Sequence, residues 1–313
     1  MKFKKPKFWD YQYPNLLSYI LLPLTFPLII NNFLLSLKKN KKKNLKPKKI
    51  CIGNIYIGGT AKTPLTIKIY QILNKLDIKA GTIKKFYKRH YDEQKMLSEK
   101  TILYCEKNRI NALNKAILDN IDVVVFDDGL QDRSMNYDLK IVCFNSIKWI
   151  GNGCLIPAGP LREKINSISK YDVAFINGNE KDNSKLKLLL KKYNQHIEIF
   201  ESNYEAINIK EFNINEEYII FSGIGNPESF KQTLINNNIK ITKEIIFPDH
   251  HKYTQKDIDH IRFQARRLNS KILTTEKDYI KIESSKNIDI KCLKVELDIK
   301  NEGKLIDYLK MHI

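Results

Sequence analysis

Residues 51–64, CIGNIYIGGTAKTP, constrain the fold more than any other part of the chain. The β-branched residues Ile50, Ile52 and Ile55 lead into Gly58-Gly59-Thr60-Ala61-Lys62-Thr63. Beyond them Leu65, Ile69, Ile72, Leu73 and Leu76 recur at spacings of three and four, the pattern of an amphipathic helix. A strand, a glycine turn, a Lys-Thr pair and a helix, in that order, make a cradle for polyphosphate. Backbone N–H groups and the helix N-terminus face the anion, Lys62 adds a point charge, and the Thr63 hydroxyl can ligate Mg²⁺. The strict phosphate-loop pattern has glycine where Tyr56 and Ala61 stand. An ordinary strand-to-helix turn is therefore the competing reading of this stretch taken alone.

The rest of the chain supplies context for that loop. Its 313 residues suffice for two domains with a sizeable core. A net charge of +19 calls for an anionic partner: nucleic acid, a membrane surface or a phosphorylated substrate. Only seven of the 54 cationic residues are arginine, which argues against nucleic acid, where planar Arg forks dominate recognition. The five cysteines are scattered with no metal-ligand spacing and read as buried thiols rather than disulfides.

Residues 16–37 carry no charge over 22 positions and are flanked by lysines at 2–7 and 38–49. The length could cross a bilayer. Pro23 and Pro27 break the helix, however, and lysines on both sides give no orientation bias. The expectation is an N-terminal membrane-anchor helix, lying as a hairpin or obliquely on an anionic surface, against the alternative of a buried core helix.

From Lys48 onward the pattern alternates. Strands are predicted at 48–55, 78–83, 101–105, 122–127, 139–144 and 172–177, with helical stretches between several of them. A polar segment, 201–216, then links to a second alternation: strand 218–222, helix 227–236, strand 241–247, helix 254–268, strands 271–275 and 292–297, helix 301–311. This predicts an α/β protein in three parts: an N-terminal segment 1–44, a mostly parallel-sheet domain 45–205 of P-loop type, and a smaller α/β domain 206–313.

Other candidate chemistry sits at strand ends. Residues 122–133, DVVVFDDGLQDR, form a buried-type strand ending in Asp127-Asp128, a position where a nucleotide-bound Mg²⁺ can be held, against the alternative of an ordinary charged loop after a strand. The loop 151–163, GNGCLIPAGPLRE, is rich in Gly and Pro and reads equally as a site wall or as a turn. Asp249, His250 and His251 cluster ahead of a helix, where a His–carboxylate pair can serve as a general base. No third ligand for zinc is evident at suitable spacing.

Taken together, CIGNIYIGGTAKTP, DDGLQDR, GNGCLIPAGPLRE, FSGIGNPESF, FPDHHKYT and TTEKD resemble, in content and order, the tetraacyldisaccharide 4′-kinases of lipid A biosynthesis. The resemblance spans nearly the whole chain. It implies a P-loop kinase at the cytoplasmic face of the inner membrane. With ATP and Mg²⁺, such a kinase phosphorylates the 4′-hydroxyl of an acylated disaccharide 1-phosphate, without nucleic acid. It implies that Tyr56, Ile57, Gly58, Gly59, Thr60, Ala61, Lys62 and Thr63 cradle ATP, with Thr63, Asp127 and Asp128 near the metal. It also implies Asp92, in YDEQ, as the base paired with His250 (His251 second), and Gln131, Arg162 and Glu163 as site-lining residues. Departures from the family pattern are Ala61, the Lys84-Lys85-Phe86 segment, Asp132 and Tyr91. They raise the alternative of a catalytically impaired, nucleotide-binding homologue.

Overall fold

The structure, a computed structural model, describes residues 5–37, 47–132, 134–178, 182–282 and 289–313. Lys2, Lys4, the lysines of 38–46 and Arg133 lie outside the described residues. The chain forms two compact units. One contains the described residues up to Phe86, Lys100–Asn203 and Ile299–Ile313; the other contains Tyr87–Glu99 and Tyr204–Asp298. Where the sequence suggests contiguous spans 45–205 and 206–313, two segments change sides: 87–99 joins the second unit and 299–313 the first.

The first unit is built on parallel strands β1 (Lys48–Gly53), β2 (Ala80–Lys85), β3 (Leu103–Glu106), β4 (Val123–Asp127), β5 (Leu139–Asn145), β6 (Val173–Asn177) and β7 (Glu198–Ala206). With β12 (Val295–Ile299) the sheet has eight strands in the order β12-β7-β6-β5-β1-β4-β2-β3. Its central strands are buried along most of their length, as a parallel sheet covered on both faces requires. From β1 the chain goes out through β2 to β3, returns to β4 beside β1, and then runs outward on the other side through β5, β6 and β7. The carboxyl ends of β1 and β4 therefore lie at the switch point where α/β sheets bind ligands.

Helices α3 (Lys62–Lys75), α5 (Arg109–Leu118), α6 (Ser184–Tyr193) and α10 (Glu302–His312) belong to this unit. On one side of the sheet Ala112, Ala116, Leu186 and Leu190 meet Val124, Phe126, Val142 and Ala174. Cys51 and Cys143 are buried here, as expected, and no cysteine is in a disulfide. Cys105 is only half-buried, because β3 is the last strand of the sheet.

The second unit has a four-stranded parallel sheet in the order β11-β10-β8-β9, from β8 (Glu217–Ser222), β9 (Lys240–Ile246), β10 (Lys271–Thr275) and β11 (Ile290–Leu293). Along β8 the side chains alternate between two cores. Tyr218 and Ile220 pack with Phe230 and Leu234 of α7 (Pro227–Asn236); Ile219 and Phe221 pack with Ile258 and Ile261 of α8 (Gln255–Arg267). Helix α4 (Tyr91–Lys100) and the short α9 (Glu276–Tyr279) carry candidate site residues.

Three expectations are corrected. There is no single N-terminal anchor helix: residues 16–37 form α1 (Leu16–Leu21), a 3₁₀ turn at Leu22–Thr25 containing Pro23, and α2 (Phe26–Leu37). Pro23 and Pro27 lack the N–H groups that a continuous helix would need. No helix among the described residues is long and apolar enough to cross a membrane. The polar segment 201–216 is not all linker, since its first residues finish β7, whose inward side chains include Ser202. The strand predicted at 292–297 is two strands interrupted at Lys294, β11 in one sheet and β12 in the other.

Candidate active site

The predicted phosphate loop leaves β1 and ends at the first turn of α3. It is held open from within. The side-chain amide of buried Asn54 donates to Thr60 Oγ1 at 3.0 Å and faces the Gly58 carbonyl at 3.4 Å. Ala61 stands immediately before the helix with φ 63° and ψ 24°, in the left-handed region. That conformation explains why glycine suits this position and shows that the turn closes with alanine. Lys62 and Thr63 follow as the first helical residues, so their N–H groups belong to the unsatisfied helix terminus that favours anions.

Register brings β4 alongside β1, with Asp127 opposite Ile52. The fully buried Asp127 carboxylate accepts from Thr63 Oγ1 at 2.8 Å and from Lys84 Nζ at 2.6 Å, both on Oδ2. Its Oδ1 is buried and has no hydrogen-bond partner among the described residues. A buried carboxylate oxygen with nothing to accept from, beside a threonine hydroxyl at a helix start, is a donor set suited to Mg²⁺. Asp128 faces cations instead: Arg162 at 2.9 Å and Lys62 at 3.8 Å.

The Gly/Pro-rich loop resolves as a wall of this site. Ile57 N donates to Pro160 O and Arg162 N to Ile55 O, laying 155–162 along the phosphate loop, with Tyr56 and Leu161 bridged as in a sheet. Gln131 Nε2 donates to Asn54 O at 3.0 Å and to Glu163 Oε1 at 2.9 Å, and Arg162 donates to Gln131 Oε1 at 3.3 Å. Gln131, Arg162 and Glu163 are thus brought together with the phosphate loop. The Tyr56 ring packs against Gly58 of the glycine turn. Its hydroxyl bonds Lys5 and Asp10 of the N-terminal segment. Burial opposes the charge on Asp10, but hydrogen bonds from Lys5 and Tyr56 carry its carboxyl below the ordinary value.

In the second unit Asp92 and His250 meet. His250 Nδ1 lies 3.0 and 3.1 Å from the two oxygens of Asp92, which is buried at the first turn of α4. Burial alone would raise the Asp92 carboxyl. The hydrogen bond with His250 and the charges of Lys277 and Lys281, each 3.7 Å away, outweigh it and hold the group below the usual carboxylate range. His250 adopts φ 56° and its N–H donates to Gly223 O, which fixes it over the end of β8. His251 is committed elsewhere. Its Nε2 is 3.1 Å from Asp257, which caps α8 by accepting from Thr254.

Three residues, one in the first unit and two in the second, are not among those expected from sequence. Lys84 lies just past the strand predicted at 78–83, in a segment that sequence shows only as a departure from the family pattern, and its pairing with Asp127 depends on the β2–β4 register. Lys277 gathers Glu93, Asp249 and Asp92 around one ammonium, whose affinity for its proton these carboxylates raise against the opposing effect of burial. His90 stacks on His250, ring centroids 4.5 Å apart and planes nearly parallel. Its spacing from His250 along the chain gives no hint of that contact.

Residues 17–313 match the family described as tetraacyldisaccharide-1-P 4′-kinase. The tetraacyldisaccharide 4′-kinase of Pelagibacter ubique is 47% identical over 309 residues, spanning 99% of this chain and 98% of that protein. Those of Rickettsia bellii and Rickettsia canadensis are 33% and 34% identical, over 98% and 97% of this chain and 98% and 96% of theirs. Among solved structures, LpxK from Aquifex aeolicus in complex with ATP shares the fold. It has a TM-score of 0.69 at 22% identity and covers 95% of this chain and 99% of that one.

Proposed function

The chain belongs to the tetraacyldisaccharide-1-P 4′-kinase family, and on that premise we propose how its residues divide the work of phosphoryl transfer. It is a kinase of lipid A biosynthesis, moving a phosphoryl group from ATP to the 4′-hydroxyl of a tetraacyl disaccharide 1-phosphate. The observation that carries the mechanism is the pair of constellations above, one built for phosphate and one for a proton.

In the first unit the N–H groups at the head of α3 and the Lys62 ammonium bind and orient the nucleotide phosphates. Arg162 adds a second cation beside them, steadied by Asp128 and Gln131. Thr63 and Asp127 would hold Mg²⁺, with Lys84 fixing the Asp127 carboxylate through Oδ2. Mg²⁺, when bound, supplies charge neutralisation at the phosphates.

A secondary alcohol attacks poorly unless its proton has a destination. Asp92 is buried, depressed in pKa and committed to Nδ1, so the group best placed to take the proton is His250 through Nε2. Asp92 orients the ring and stabilises its protonated form. This keeps the pair that the family resemblance implies and places the accepting atom on the imidazole.

The acceptor has four acyl chains, and each methylene withdrawn from lipid costs about 0.8 kcal/mol. Leu16, Leu17, Tyr19, Ile20, Leu24 and Phe26 are exposed on the N-terminal helices. These side chains would rest in the cytoplasmic face of the inner membrane, among anionic headgroups that the lysine-rich flanks attract. The test is transfer of label from γ-labelled Mg·ATP to tetraacyl disaccharide 1-phosphate in detergent. Labelled lipid is expected from the wild type, and Lys62→Ala should lower it by roughly 10²-fold or more. Undiminished transfer by folded Lys62→Ala would remove the phosphate loop from the mechanism. Nucleotide binding without any labelled lipid would make the protein an impaired homologue.

A further inference from the structure

We propose that His90, Glu93 and His250 form an inhibitory site for a borderline-soft divalent metal ion, Zn²⁺ in particular, which competes with catalysis by capturing His250. The binding site stands on its own geometry, and only the inhibition rests on the dyad reading above.

Each of the three residues offers one ligand atom, and these atoms all lie within 4.8 Å of one another. Glu93 faces both rings: Oε2 is 3.7 Å from His90 Nδ1, and Oε1 is 3.8 Å from His250 Nε2. In a tetrahedral zinc site, ligand atoms sit about 3.3 Å apart, so the group is slightly open and needs only a modest contraction. The local fold holds the ligands together. His90 precedes α4 and Glu93 lies one turn on, with Gln94 N donating to His90 O and Glu93 N to Asp92 Oδ1.

The outer shell is also present. Asp92 engages Nδ1 of His250, which leaves Nε2 as the lone-pair nitrogen of the neutral ring. A carboxylate on one nitrogen and a metal on the other is the usual arrangement of a metal-bound histidine. Two imidazoles and one carboxylate favour zinc-like ions over Mg²⁺, which prefers oxygen ligands, so the ion used for catalysis would not fill this site. Three protein ligands leave one position for water, typical of an exchangeable rather than a structural ion.

Two movements are required. The stacked rings point their in-plane lone pairs side by side, so one ring must turn, and His90 is the more exposed of the two. Lys277 must withdraw from Glu93 Oε1, and Asp249, equally 3.3 Å away, already shares its charge.

The experiment uses the full-length protein with Zn²⁺ as probe, and Co²⁺ for its ligand-field spectrum. Zinc affinity is measured by competition with a chromophoric chelator, and phosphoryl transfer at fixed Mg·ATP is followed in parallel. The wild type should bind one Zn²⁺ and lose activity as the site fills. His90→Ala should bind Zn²⁺ about tenfold or more weakly, and whatever transfer it retains should escape inhibition over the wild-type range. Equal zinc affinity in wild type and His90→Ala, or a Co²⁺ spectrum that His90→Ala leaves unchanged, overturns the site. Binding that needs His90 and yet leaves transfer untouched overturns the inhibition and, separately, the role given to His250.

Discussion

At Ala61 the backbone occupies the left-handed region, where a β-carbon costs about 1–2 kcal/mol. Glycine would remove that strain while giving back a few tenths in unfolded-state entropy. Ala61→Gly is therefore expected to raise stability by about 1 kcal/mol in urea unfolding, with nucleotide binding retained. A loss of stability would mean that the methyl group packs usefully, since Ala61 is largely buried. The neighbouring departure, Lys84 in the altered segment, has a different consequence. It is a buried ammonium on a buried carboxylate, and such a pair survives only because each member answers the other. Residues of this kind are the hardest to find in a sequence. Lys62, Thr63 and Asp127 announce themselves by their place in a local pattern, whereas Lys84 and His90 acquire their roles from strands and helices brought together by the fold.

At the scale of elements, the strands with continuous apolar runs lie close to where their composition places them, because burial on both faces leaves an unambiguous signal. Strand β7 is obscured by inward-facing Ser202 and outward charges, and the break between β11 and β12 hides inside one apolar run. The loop 151–163, ambiguous in sequence, becomes readable once Gly159 is seen in place. A β-carbon there would sit 2.1 Å from Asn152 Oδ1 and 2.5 Å from the Cys154 carbonyl, so only glycine lets this wall close. The N-terminal helices are tied to the same wall. The Trp9 indole donates to Pro157 O, Asn152 Nδ2 to Ser18 Oγ, and Asn32 Nδ2 to Arg162 O. Their outward apolar side chains are left for another surface. Leu17→Asp combined with Ile20→Asp should weaken co-sedimentation with anionic lipid vesicles without lowering ATP affinity, since neither side chain is buried. Unchanged vesicle binding would place the membrane contact elsewhere.

For the whole molecule, the proposed mechanism places phosphate binding and proton transfer in different units. The glycine loop, Asp127 and the 151–163 wall belong to one; Asp92, His250 and Lys277 belong to the other. The short segment 87–99 is what makes this division possible, since it leaves the first unit in sequence yet packs with the second and carries Asp92 to His250. A contiguous reading of the chain cannot reveal that exchange, because nothing in YDEQ marks the sheet against which it folds. The most direct test is Asp92→Asn, assayed side by side for Mg·ATP affinity and for single-turnover transfer to the lipid acceptor. Asparagine keeps the shape but removes the charge that orients and stabilises the imidazole. ATP affinity is expected to stay at the wild-type level while transfer slows by roughly 10²-fold or more. Undiminished transfer, or a loss of ATP affinity as large as the loss of transfer, would contradict the division of labour between the two units.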